Sequence, residues 1–184
     1  TVSGFGAEFG SLVFDSAGNP CISYDNLAAD TLMYANKSGG VWHNDIVDYP
    51  GGLFPSLAFD PSGNPAISYL DYSLNYTHNL RYAWKQDGVW HSDTVDSVGV
   101  LEKVTSLAFN GTGSPCISYF NSTDRLLKFA TKSGGTWVNE TVASSGGWDS
   151  SLAFDASGNP CIAYAWDGGL NLSRKSGGTW VNET

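Results

Sequence analysis

Three arginines, Arg81, Arg125 and Arg174, are enough in number to hold a carboxylate by bidentate forks. The glutamates that could work beside them are Glu8, Glu102, Glu140 and Glu183. Their spacing argues against a shared site. Arg81 falls in a strand-like run, Arg125 in a loop and Arg174 near a hairpin, at three different places in an internal repeat. His43 and His91 share one repeat position on a strand, so neither pairs with a nucleophile as a general base. Cys21, Cys116 and Cys161 each follow a proline at one repeat position, where the second repeat has Ala66. Equivalent positions in different repeats stand too far apart for a disulfide. Ligands paired at short spacing, as a metal needs, are absent. These thiols read as small buried groups interchangeable with alanine. Asp15, Asp60 and Asp155, with Asn110, end the same run in each repeat. Four such oxygens around an axis suit a hard cation. The simpler reading is that each caps its own turn. The expectation is a noncatalytic chain with no cofactor and no metal.

A second group of residues suits carbohydrate. Tyr72, Tyr76, Asn121, Trp148, Asp149, Trp166 and Asp167, together with Phe5, Phe9, Tyr49 and Phe54, crowd the segments that vary between repeats. Variable loops on a repeated scaffold are where binding sites usually live. Aromatic faces beside Asp and Asn match sugar rings and hydroxyls. The competing reading is that several of them plug an axial end or form a subunit contact. Asparagine usage points outside the cell. Seven Asn-x-Ser/Thr acceptors occur, at Asn36, Asn75, Asn110, Asn121, Asn139, Asn171 and Asn182. Chance predicts roughly two, so the density implies a secreted glycoprotein.

The elements that carry these residues follow from repetition. SLVFDSAGNPCISY, SLAFDPSGNPAISY, SLAFNGTGSPCISY and SLAFDASGNPCIAY begin at Ser11, Ser56, Ser106 and Ser151. Each unit holds four strand-like runs. Leu57 and Phe59 alternate in the first run of the second unit, and Ile67 and Tyr69 in its second. Between them Asp60, Pro61 and Gly63 make a turn. KSGGVW, KQDGVW, KSGGTW and KSGGTW then mark one hairpin in every unit. Four strands per unit at this period describe an all-β, four-bladed β-propeller with four antiparallel strands per blade. Blades bury their faces only against neighbours, which is why Leu-x-Phe and Ile-x-Tyr recur. Trp42, Trp90, Trp137 and Trp180 open the fourth strands and are expected to pack near the rim. Strand one is expected innermost. Residues 1–184 read as one domain.

The last unit stops at TWVNET, and the chain opens with TVSGFGAEFGSLVFD, which resumes the pattern at the same phase. Thr1 and Val2 thus match Trp180, Val181, Asn182, Glu183 and Thr184 as an assembly seam. Three readings fit: one closed ring, completion of the last blade by the next copy through strand addition, or a window from a longer array. Thr1 is not a start methionine, so a mature or trimmed chain is expected.

The phrases SLAFDxSGNPxISY and KSGGxW resemble the blade repeats of secreted and cell-surface β-propellers of bacteria and archaea. The resemblance covers nearly the whole chain. It implies surface-layer, adhesin-like or other extracellular roles. The FDxSGNP turn is loosely similar to the Asp-box of sialidase-type propellers but lacks its Ser-x-Asp order and its trailing aromatic. The formal charge of −9 with no basic cluster argues against nucleic acid and anionic membrane surfaces. No run approaches the ~20 apolar residues of a spanning helix, so no membrane insertion is expected. The leading expectation is a structural or adhesive extracellular module that joins copies of itself head to tail. The alternative is a glycan-binding propeller using the variable-loop face.

Overall fold

The computed structural model describes residues 2, 6–71, 78–99 and 104–183, excepting the side chains of 98 and 99. The fold is all-β: four sheets, each of four antiparallel strands hydrogen-bonded in chain order, which are blades of the β-propeller type. Blade 1 is β1 (Ala7–Phe14), β2 (Pro20–Asn26), β3 (Thr31–Ser38) and β4 (Val41–Asp48). Blade 2 is β5 (Leu53–Phe59), β6 (Pro65–Leu70), β7 (His78–Gln86) and β8 (Val89–Gly99). Blade 3 is β9 (Ser106–Phe109), β10 (Pro115–Asn121), β11 (Leu126–Ser133) and β12 (Thr136–Ala143). Blade 4 is β13 (Trp148–Phe154), β14 (Pro160–Trp166), β15 (Gly169–Ser176) and β16 (Thr179–Glu183). Blades 1 and 2 form one compact unit, Thr1–Ser97, and blades 3 and 4 a second, Val98–Thr184.

Two turns punctuate every blade. After the first strand, Asp15 Oδ1 accepts the amides of Ala17 and Asn19 at 2.9 and 2.8 Å, and Asp15 Oδ2 accepts Asn19 Nδ2 at 3.0 Å. Asp60 and Asp155 repeat this set, and Asn110 accepts the amides of Thr112 and Ser114. The four side chains thus cap their own turns. These bonds hold the half-buried Asp15 and Asp155 below the ordinary carboxylate range, Asn19 being the main partner of the first and Asn159 of the second. The hairpin before each fourth strand carries two positive φ angles, for example 58° and 82° at Gly39 and Gly40, and 51° and 80° at Asp87 and Gly88. That is the type I′ geometry that matches strand twist.

Within each unit the blades meet through repeated contacts. Leu57, Ile67, Tyr69 and Ala83 of blade 2 pack with Cys21, Leu32 and Tyr34 of blade 1. Leu152, Ile162 and Tyr164 of blade 4 pack with Cys116, Leu127 and Phe129 of blade 3. Trp90 stands edge-on to Tyr34 at 5.4 Å, and Trp180 likewise to Phe129 at 5.4 Å, so these two fourth-strand tryptophans pack on the preceding blade of their own unit. Lys85 Nζ reaches Asp45 at 2.5 Å, and Lys175 Nζ reaches Glu140 at 2.5 Å, the same pairing one unit on. Ser11 Oγ accepts the amide of Leu57 at 3.1 Å, and Ser106 Oγ that of Leu152 at 3.0 Å. This last bond gives Ser11 and Ser106 of the Ser-Leu-x-Phe phrase a structural task. Ser106→Ala would leave a part-buried amide without its acceptor. It is expected to cost about 1–2 kcal/mol in urea unfolding with an unchanged m-value.

Candidate functional site

A recess lies at one end of blade 4. β13 opens with a register shift between Trp148 and Ser151 against β14, and the residue in the bulge, Asp149, has φ 53°. Phe9 and Phe54 occupy the same bulge in blades 1 and 2, each with φ 52°. A bulge re-aims the side chains beside it. Here it sets Trp148 opposite Ala165 of β14. Trp166 ends β14, and Asp167 and Gly168 (φ 48° and 74°) turn the chain into β15. The connection from β12 passes close behind the indole. A Cβ built on Gly146 would stand 2.6 Å from the Cβ of Trp166.

Trp148 and Trp166 meet edge to face, with centroids 6.2 Å apart and planes at 85°. They remain 42% and 37% exposed, unusual for side chains of this size on a strand. Trp148, Ala165, Trp166, Asp167 and Gly168 line a cleft of about 460 Å³. Two indole walls and a carboxylate offer an apolar platform and a hydroxyl acceptor to one ligand.

The other candidates are dispersed. Asp149 is exposed in the bulge next to this cleft. Asn121 is only 3% exposed, and its Oδ1 accepts the amides of Thr123 and Asp124 at 3.0 and 3.2 Å. It therefore serves its own turn. Tyr72 and Tyr76 lie outside the described residues, as do Phe5, Asn75, Thr1 and Thr184. Phe9 packs against Phe54 in the first unit, with ring centroids 4.3 Å apart and planes tilted by 47°, and Tyr49 is exposed before the cis peptide to Pro50. Among the acceptor asparagines, Asn139 and Asn182 are exposed on fourth strands, while Asn36, Asn110 and Asn171 are half-buried. Asn110 Oδ1 is held by its turn and Asn182 Oδ1 by Ser173 Oγ. Peptide mapping of protein from its native source is expected to find N-glycans at Asn139 and Asn182 and none at buried Asn121. Of the seam, Val2 places its carbonyl on Asn44 Nδ2 at 3.2 Å, Trp180 packs on Phe129, and Val181, Asn182 and Glu183 are exposed on β16.

The arginines serve separate places. Arg81 on β7 stands 3.4 Å from Asp48 and donates to Ser92 Oγ at 2.5 Å. Asp48 also accepts the Tyr69 hydroxyl, whose pKa burial drives far above the ordinary phenol range. Arg125 sits in the β10–β11 turn with φ 60°, and Arg174 is exposed on β15. Burial raises the thiol pKa of Cys21 and of Cys116, which also touches Thr131 Oγ1 at 2.9 Å. All three cysteines are free. No cluster of His, Cys, Asp or Glu able to hold a metal occurs among the described residues. No helix there is long and apolar enough to cross a membrane.

No protein-family model matches the chain, and no curated protein matches it. Solved structures do. The Hadza microbial sialidase Hz136 aligns with TM-score 0.71 at 14% identity, over 97% of this chain and 46% of that one. A polysaccharide lyase of the PL25 family, an ulvan lyase, aligns with TM-score 0.66 at 12% identity, over 94% and 56%. AofleA from Arthrobotrys oligospora aligns with TM-score 0.64 at 13% identity, over 97% and 56%. The chain thus spans about half the length of these structures, and what it shares with them is the fold.

Proposed function

We propose that this chain is a noncatalytic, carbohydrate-binding propeller module of the cell exterior, with the Trp148–Trp166 cleft as its sugar site. The observation that carries the reading is the pair of half-exposed indoles, set at right angles beside Asp167. A pyranose stacks its C–H face on an indole and hydrogen-bonds its hydroxyls to a neighbouring carboxylate. Two similar folds belong to a sialidase and an ulvan lyase, so carbohydrate is a ligand class that such blades accommodate. The noncatalytic part rests on the dispersal of the arginines, with Arg81 committed to Asp48 and Ser92. The extracellular part rests on the density of acceptor asparagines.

The test is a glycan array followed by calorimetry with the full chain. A bound glycan is expected. Trp148→Ala is expected to weaken it at least about tenfold, the worth of one lost aromatic platform. Trp166→Ala also disturbs Gly146, so Asp167→Ala is the second variant, and it should discriminate between glycans that differ in one hydroxyl. Absence of any bound glycan, or full binding by Trp148→Ala, overturns the proposal. Turnover of a bound glycan by the unaltered chain overturns its noncatalytic part.

A further inference from the structure

Positions that are buried in three blades are open in the fourth, and the openings are of two kinds. Leu57, Leu107 and Leu152 are 3%, 7% and 7% exposed, whereas Leu12, their equivalent in blade 1, is 57% exposed. Ile67, Ile117 and Ile162 are fully buried, whereas Ile22 is half-buried, and Phe14 is 61% exposed. These residues belong to the face by which blade 2 meets blade 1 and blade 4 meets blade 3. In blade 1 that face is uncovered. On blade 4 the opposite face is uncovered. Leu32, Leu80 and Leu127 are fully buried, while their equivalent Leu170 is 80% exposed. Cys161 is half-buried there, although Cys21 and Cys116 are each 1% exposed.

The two open faces complement each other residue by residue, following the contacts already formed inside each unit. Lys85 takes Asp45, and Lys175 takes Glu140. By the same register Lys37 of blade 1 calls for Glu183 of blade 4. Neither has a partner among the described residues. Ser11 accepts Leu57 N, and Ser106 accepts Leu152 N. The exposed Ser151 is the matching acceptor, and Leu12 N the matching donor. Trp90 covers Tyr34, and Trp180 covers Phe129. Trp42 then covers Leu172, the residue of β15 that pairs with Ala163 as Phe129 pairs with Ser118.

We propose that blade 4 of one copy docks on blade 1 of a second copy, reproducing the blade-to-blade interface across the subunit boundary, with Lys37 of one copy paired to Glu183 of the other. A head-to-tail contact of this kind is heterologous, so it propagates until it closes into a ring or extends as a filament. Burial of Leu12, Phe14 and Leu170 supplies the driving force. The charge pair fixes partner and register. This inference is independent of the sugar site, and its test leaves Trp148 and Trp166 untouched.

The test is sedimentation of the full chain from micromolar to millimolar concentration, with four proteins: unaltered, K37E, E183K and K37E/E183K. Both side chains are at the surface, so folding, checked by circular dichroism, should be unchanged. The unaltered chain is expected to associate. Each single reversal is expected to weaken association about tenfold or more, and the double reversal to restore it. Three results would each overturn the proposal. One is a monomer at every concentration. Another is indifference of association to the single reversals. The last is a coupling of Lys37 and Glu183 that appears only in the melting temperature, independent of concentration, since that places the pair within one chain.

Discussion

Gly147→Ala should lower stability by about 3 kcal/mol, or about 6–12 °C in melting temperature for a chain of this size. Gly147 lies in the connection from blade 3 to blade 4, at φ 105°. An L residue there carries a conformational cost of about 1 kcal/mol. The larger cost is steric. A Cβ on Gly147 would stand 2.7 Å from the Cβ of Leu127 and 3.1 Å from its Cα. Leu127 is fully buried among Phe129, Leu152 and Ile162, so it has nowhere to retreat. Overpacking of a closed core costs about 1–3 kcal/mol, and the two terms add. Gly158→Ala is the control. Gly158 has φ 80° and nothing within 4 Å of its missing Cβ, so only the conformational cost of about 1 kcal/mol applies. Thermal unfolding of the two variants decides the point. Equal losses would mean that the junction yields and that Leu127 is not the obstacle.

The strands, their order and the hairpins were legible in the sequence, because each is encoded locally and then repeated. Leu57 and Phe59 alternate, Asp60 and Gly63 make the turn, and the Gly-Gly and Asp-Gly pairs, read as hairpins, make them with two positive φ angles each. The apolar faces that meet between blades were legible in Leu-x-Phe and Ile-x-Tyr, but the polar contacts between blades were not. Ser11 and Leu57 are joined by one bond across 46 positions. Lys85 and Asp45 are joined across 40. Nothing in a local window distinguishes such a serine or lysine from a solvated one. The Trp148–Trp166 cleft was half legible. The types of Trp148, Trp166, Asp149 and Asp167 pointed to it. Their convergence depends on a bulge with a left-handed aspartate and on Gly146 lying over an indole, and neither has a pattern signature. Asn121 was misplaced for a related reason. The sequence shows a polar loop residue and conceals that its amide is turned inward to close the loop.

Asp25→Asn is expected to stabilise the protein at pH 7 by on the order of 2 kcal/mol and to have little effect at pH 4. Asp25 is 2% exposed and occupies the β2 position that blades 2, 3 and 4 fill with Leu70, Phe120 and Ala165. Burial, and after it the charges of Asp30 and Glu8, push its carboxyl up to about 6. The sign follows from proton counts. Below about pH 4 the carboxyl is protonated in both states and contributes nothing. Between about 4 and 6 the unfolded chain ionises while the native chain keeps its proton, so stability falls as pH rises. Above about 6 the full penalty persists. Asp15 and Asp155 act in the opposite sense. Their lowered pKa values give stability that is present above the unfolded range and is lost as pH falls through their folded values. Their effect is therefore confined to the acid limb, below the window in which Asp25 titrates. Asparagine keeps the shape of aspartate and removes the charge, so the packing beside Leu32 stays as it is. Urea unfolding of both proteins at pH 4, 5, 6 and 7 reads the difference directly. A difference that grows from pH 4 to pH 6 and then levels off is the expected curve. A difference independent of pH would show that Asp25 is neutral at pH 7, or already solvated in the native state, and the buried charge would cease to explain the cost of keeping an acid at this position.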